Sequence, residues 1–123
     1  MFLYLRGDRE NLSDITTNFV ANLNRFAPFG PGNMAPIFQS NGVVEEGNGK
    51  VVGNKGKHVK MRVLYPDKST QPLDGIGYNL HEKFDLITNK KKFDIVYHVE
   101  ENNWNNKTTI QLNIKDIRAN ENL

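Results

Sequence analysis

Lys55, Lys57, Lys60 and Arg62 fall within eight residues, and His58 sits among them in a run where polar and apolar side chains alternate. Side chains of this type and spacing neutralise phosphates along a nucleic-acid backbone. Trp104, the only tryptophan, lies in an asparagine-rich stretch with Lys107 close behind, and an exposed ring offers a base a stacking surface. Bond cleavage would need more. Two-metal hydrolysis requires clustered aspartates and histidines to generate a nucleophile and stabilise phosphate charge. The three histidines, His58, His81 and His98, are far apart, none adjoins an aspartate, and no Asp-x-Asp pair occurs. The residues predict binding, with no catalytic or metal-ligating set.

Two readings stand for most of these positions. The basic run is either a phosphate track or a solvated outer face, and the stretch from Gly47 to Tyr65 contains no acidic residue, which favours the first. Trp104 is either a stacking platform or a pin that holds its loop on the body of the protein. Gly75 and Gly77 either let a nucleotide approach the backbone or relieve curvature in a strand. Lys90, Lys91 and Lys92 form the densest basic run, but they follow a helical pattern and read as a solvated turn. His81 and His98 read as locally bonded or solvated.

The elements that must position these residues follow from periodicity. Ile15, Phe19, Leu23 and Phe26 recur at helical spacing, with Ser13 as N-cap and Asp14 set favourably against the helix dipole, so a leading helix is expected over 13–27. Pro28 ends it, and Pro28, Phe29, Gly30, Pro31, Gly32 and Asn33 form a rigid turn, because the prolines fix φ and the glycines accept φ > 0. A long first strand from Ile37 to Val52 is broken at Asn41-Gly42 and Gly47-Asn48-Gly49. In the second strand Val59, Met61, Val63 and Tyr65 face inward and His58, Lys60 and Arg62 outward.

A third strand spans Gln71 to Tyr78. Asn79 is placed as the cap of a short helix carrying Leu80, Phe84 and Ile87, with Glu82 completing a capping box. A fourth strand turns Phe93, Ile95, Tyr97 and Val99 inward, a polar loop spans 100–107, and a fifth strand buries Ile110, Leu112 and Ile114. This order describes a mainly β, five-stranded OB-fold, a Greek-key barrel preceded by one α-helix and carrying a short helix between strands 3 and 4. The expected division is a linker over 1–12, the helix, a barrel over 28–118 and a tail over 119–123.

At 123 residues the chain is one domain in size, and its 16 Lys/Arg against 14 Asp/Glu give a net charge of only +2, so charge location must carry any argument for an anionic partner. Cysteine is absent, which excludes disulfides and thiolate metal sites. No apolar stretch approaches the roughly 20 residues of a membrane span. Arg6-Gly7-Asp8 and the acceptor-like triplets at Asn11 and Asn106 are short matches of the kind that arise by chance.

The run from Pro28 to Asn33, Glu100-Glu101-Asn102-Asn103-Trp104 and Gln111-Leu112-Asn113-Ile114-Lys115-Asp116-Ile117 together resemble the C-terminal OB region of the RecJ family, single-stranded-DNA-specific exonucleases of bacteria. The resemblance runs from about Leu12 to Arg118. It departs from the family pattern at Met34-Ala35, where Pro-Glu commonly follows the turn. It implies a cytoplasmic 5′ to 3′ exonuclease of recombination and repair that uses Mn²⁺ or Mg²⁺ in a catalytic domain outside this sequence. The OB region would need no cofactor of its own. Its implied partners are single-stranded DNA and the catalytic domains, with a single-strand-binding protein as a further candidate. Lys55, Lys57, His58, Lys60, Arg62, Tyr78, Trp104 and Lys107 are the expected nucleic-acid contacts. The alternative is a protein interaction module that docks on the nuclease core or on a single-strand-binding protein, and RNA or oligosaccharide remains open to any OB-fold.

Overall fold

The computed structural model describes residues 8–9, 12, 15–16, 35–68 and 70–120. The turn over 28–33 lies outside them, as does the expected leading helix apart from Ile15 and Thr16. Strands are β1 Asp8–Arg9, β2 Phe38–Glu45, β3 Lys50–Val52, β4 His58–Leu64, β5 Leu73–Gly77, β6 Phe93–Trp104 and β7 Lys107–Ala119. A 3₁₀ turn at His81–Lys83 leads into α1, Phe84–Thr88.

The sheet order is β1-β2-β6-β7-β5-β4-β3, and a further pairing of β2 with β4 closes a ring. β5 and β7 run parallel, while β2–β6, β6–β7, β4–β5 and β2–β4 are antiparallel. This is the closed five-stranded OB connectivity, mainly β as the sequence predicts. β1 is an addition that periodicity does not reveal, a two-residue strand parallel to the start of β2.

The long first strand is present in two pieces. β2 pairs with β4 through Val44 and Glu45, and β3 pairs with the beginning of the same strand through Lys50, Val51 and Val52. Between them the Glu45 carboxylate accepts the backbone N–H groups of Gly47, Gly49 and Arg62, which folds the intervening loop back onto β4. Val51 is exposed, so the apolar pair Val51-Val52 does not reach deeply into the core.

Two bulges keep the core continuous. Ser40 pairs with Ile95 and Val43 with Phe93, so one extra residue at Asn41-Gly42 lets Ser40 and Val43 both face inward. Ser40 Oγ and Tyr97 Oη share a hydrogen bond of 2.8 Å inside the barrel. The β6–β7 register shifts between Val96 and Tyr97, and the extra residue on β7 turns Ile117 inward alongside Leu112 and Ile114. Val59, Met61, Val63, Phe93, Ile95 and Val99 complete the centre, joined by Leu12 and Ile15. Tyr65 packs against this core, and its hydroxyl accepts the Leu12 N–H at 3.1 Å.

Two expectations require correction. The polar loop over 100–107 is instead an antiparallel hairpin, in register from Glu100↔Gln111 to Trp104↔Lys107. Its tip, Asn105-Asn106, has positive φ at both residues (50° and 61°), the geometry of a two-residue turn that matches strand twist. Asn79 does not cap a helix. It sits in the left-handed region at φ 60°, and no side-chain cap closes the 3₁₀ turn or α1. The Leu80, Phe84 and Ile87 stripe nevertheless packs on the core as expected.

Asp94 holds the β2 bulge. Its buried carboxylate accepts the Gly42 N–H at 3.0 Å, Arg118 Nε at 2.9 Å and Asn120 Nδ2 at 2.8 Å. Gly42 has φ +71°, a conformation that side chains rarely adopt, so the clamp acts on a residue able to take the bulged shape. Asp94→Ala leaves these donors without their acceptor and should lower stability by about 3 kcal/mol. Urea denaturation of the variant beside wild type checks this, with an unchanged midpoint counting against the clamp.

Candidate nucleic-acid interface

Strand alternation decides what shares a surface. With Val59, Met61 and Val63 inside, His58, Lys60 and Arg62 of β4 face outward. The registers Lys60↔Ile76 and Arg62↔Asp74 put Ile76 and Asp74 beside them, and Ile76↔Asn113 and Asp74↔Gln111 carry the face across β7. His98↔Asn113 and Glu100↔Gln111 extend it to β6, whose next outward residues are Asn102 and Trp104. One outer face therefore gathers Lys60, Arg62, Trp104 and Lys107.

The lysine end is assembled by the β3–β4 hairpin. Lys50 stands directly opposite Lys60, a pair of like charges that is unfavourable on its own. Lys55 and Lys57 lie exposed on the connecting turn. No ion pair involves Lys50, Lys55, Lys57 or Lys60 among the described residues. Lys50 is absent from the sequence-derived contacts, because only strand register places it next to Lys60.

His58 and Tyr78 form the lateral wall of this end. Their rings meet edge to face at 5.2 Å and 76°. The Asn79 N–H donates to His58 Nδ1 at 3.0 Å, so that nitrogen accepts and carries no proton. His58 is thus a strut for the Tyr78 loop. Tyr78 itself is 54% exposed. The Lys57 carbonyl accepts the His81 N–H at 3.2 Å and the His81 Nδ1–H at 3.3 Å, tying the lysine turn to the 3₁₀ turn. His98 Nδ1–H donates to the Pro36 carbonyl at 2.7 Å.

Arg62 departs from expectation. The absence of acids between Gly47 and Tyr65 holds in sequence, but the fold brings Glu46 and Asp74 to 3.1 Å from the guanidinium, one on each side. Its charge is compensated twice over. Exposed ion pairs of this kind contribute at most about 1 kcal/mol each, so they hold the side chain weakly while cancelling its field.

The glycine face of β5 is closed. A Cβ on Gly75 would lie 2.7 Å from Ile114 Cδ1, and one on Gly77 would lie 2.7 Å from Leu80 Cδ1. Core side chains occupy the space that a nucleotide would need, so these glycines serve close packing inside the barrel.

Trp104 is 77% exposed at the hairpin tip, opposite Lys107. It does not pin the segment to the barrel. The run Lys90 to Lys92 is exposed in the turn before β6, whose other end carries Trp104. Between Trp104 and the lysines the outer face carries side-chain hydrogen bonds, from Asn102 Nδ2 to Gln111 Oε1 at 3.2 Å and from Asn113 Nδ2 to Glu100 Oε1 at 2.6 Å.

Among the described residues no three His, Asp, Glu or Cys side chains converge in a way that would hold a metal ion. Also among the described residues, no helix is long and apolar enough to cross a membrane.

A family model for the RecJ OB domain matches residues 9–116. The single-stranded-DNA-specific exonuclease RecJ of Bacillus subtilis (strain 168) is 36% identical over 111 residues, 89% of this chain and 14% of that protein. RecJ from Thermus thermophilus, solved in complex with Mn²⁺, matches with a TM-score of 0.67 over 94% of this chain and 16% of its own, at 21% identity. The latter supports the fold, and the chain spans less than a fifth of the length of either relative. The family match over most of the sequence, the identity to the B. subtilis protein and the closed barrel agree, and the chain belongs to the RecJ OB-domain family.

Proposed function

We propose that this domain grips single-stranded DNA for a RecJ-type exonuclease of DNA recombination and repair, in the cytoplasm, while metal-dependent hydrolysis takes place in another domain. The observation that carries the reading is the lysine end of the outer face. Lys50 and Lys60 stand directly opposite each other, exposed Lys55 and Lys57 lie on the turn that joins their strands, and none of the four makes an ion pair among the described residues. Unrelieved like charge of this kind is stabilised by an anionic ligand, and phosphates release counterions when they replace solvent there.

Each side chain has a distinct part. The lysines neutralise phosphates, Tyr78 and Trp104 offer rings to bases, and Lys107 supplies a cation beside Trp104. His58 acts through Tyr78 by holding its loop. Arg62, flanked by Glu46 and Asp74, contributes little net charge. Hydrolysis itself needs a metal-binding donor set, which this reading assigns to another domain.

A second reading, docking on the nuclease core or on a single-strand-binding protein, is favoured by one feature, the exposed Trp104 on an arm that also carries Glu100 and Glu101. The two readings differ in their response to salt.

In a fluorescent-oligonucleotide titration at two salt concentrations, Lys50→Gln/Lys60→Gln should weaken binding severalfold and flatten the log K against log salt slope by about 1.4, two phosphate contacts on a single strand. Unchanged affinity and slope in that double variant would turn the assignment to the docking alternative. Arg62→Gln, by contrast, should leave the salt slope within error of wild type, because the guanidinium is already matched by two carboxylates. A slope change as large as that of one lysine would show that Arg62 does meet phosphate.

A further inference from the structure

We infer that the DNA-holding face is bipartite, with a phosphate anchor at the lysines and a stacking anchor at Trp104, separated by a carboxylate-bearing belt that phosphates avoid. This rests on the reading of the face as a single-strand site.

The register supplies the separation. Lys60 is level with Ile76, and Ile76 with Asn113, whereas Trp104 is opposite Lys107. The interval from 107 to 113 along β7 is roughly 20 Å at the rise of a β-strand. Tyr78 follows Ile76 in the direction away from Trp104, so the two exposed rings cannot stack on neighbouring bases. They belong to different ends of one ligand.

The row between the anchors has the opposite charge. Arg62, Asp74, Gln111 and Glu100 lie side by side across four strands, and Glu46 joins from the loop after β2. Three carboxylates stand against one guanidinium, so a phosphate placed here meets net repulsion. Asn102, Gln111 and Asn113 add neutral amides, which suit base edges better than backbone. A strand crossing the belt would turn its bases inward and its phosphates to solvent.

The consequence is a length threshold. A short oligonucleotide engages the lysines alone, and one long enough to reach Trp104 gains the second anchor as an intramolecular event, with a step in affinity. An OB fold covers about 4–16 nucleotides, so a series from (dT)3 to (dT)12 brackets the step.

The test is that series titrated against the intact chain, its Trp104→Ala and Trp104→Phe variants, and Lys50→Gln/Lys60→Gln. Wild type should show the step, Trp104→Ala should remove it and lose roughly 5- to 150-fold for the longest oligomer, the value of stacking one base, and Trp104→Phe should restore part of it. The lysine variant should weaken every measurable length. A smooth rise with no step in wild type, or a Trp104→Ala loss that is equal at all lengths, overturns the bipartite site while leaving DNA binding in place. Absence of binding by wild type at any length, or indifference to the lysine change, overturns the single-strand reading itself.

Discussion

Closure of the barrel depends on β2 pairing along both edges. Its first residues bond to β6, its last to β4, and the change of direction between them is made at the Asn41-Gly42 bulge. Asp94 fixes that bulge by accepting from Gly42 while Arg118 and Asn120 bind the same carboxylate. A carboxylate this deeply buried is tolerated only because all its partners are donors, one of them charged. Without the bulge, β2 would run on in one plane and the sheet would stay open. The outer face exists in its observed form because the ring is closed and the registers of β4, β5, β7 and β6 are fixed relative to each other.

On that face, electrostatics is decided by register. Lys60 and Arg62 are two positions apart on the same strand and look equivalent in sequence, yet their neighbours are opposite in sign. Lys60 faces Lys50, while Arg62 lies between Glu46 and Asp74. Within a distance shorter than the Debye length of about 8 Å at physiological salt, the face passes from uncompensated positive charge to a compensated or negative belt. A basic stripe inferred from alternation alone becomes a short basic patch with a sharp boundary.

The parts of the structure legible in the sequence were those governed by local periodicity. Alternation in β4, the inward set Phe93, Ile95, Tyr97 and Val99 of β6, the break of the first strand at glycines and the Leu80, Phe84 and Ile87 stripe all survive, because side-chain direction repeats with a period of 2 along a strand and 3.6 along a helix. The hairpin from Glu100 to Gln111 was not legible. The stretch from Glu100 to Asn106 is mostly asparagine and glutamate, which β-propensity disfavours, and cross-strand bonds such as Asn102 to Gln111 and Thr108 to Asn103 replace hydrophobic signal. The acids around Arg62 and the partner of Lys60 were hidden for a different reason. Their proximity is a property of strand pairing between residues distant in sequence, which a linear charge count does not contain.

The exposed tryptophan follows from the same geometry. Burial of a large aromatic ring is among the more favourable contributions a chain can gather, and a ring left 77% in water forgoes most of it. The hairpin that presents it lies beyond the last inward-facing residues of β6 and β7, with exposed or half-exposed side chains and no core of its own. A two-stranded ribbon in that state is marginal alone, and continuity with barrel strands is what extends it. Its Asn105-Asn106 turn also sets Trp104 directly opposite Lys107, a ring and a cation at the end of the hairpin. The exposed ring itself adds little burial to the barrel. Under the proposed single-strand reading, a flat base with an adjoining phosphate matches both groups at once.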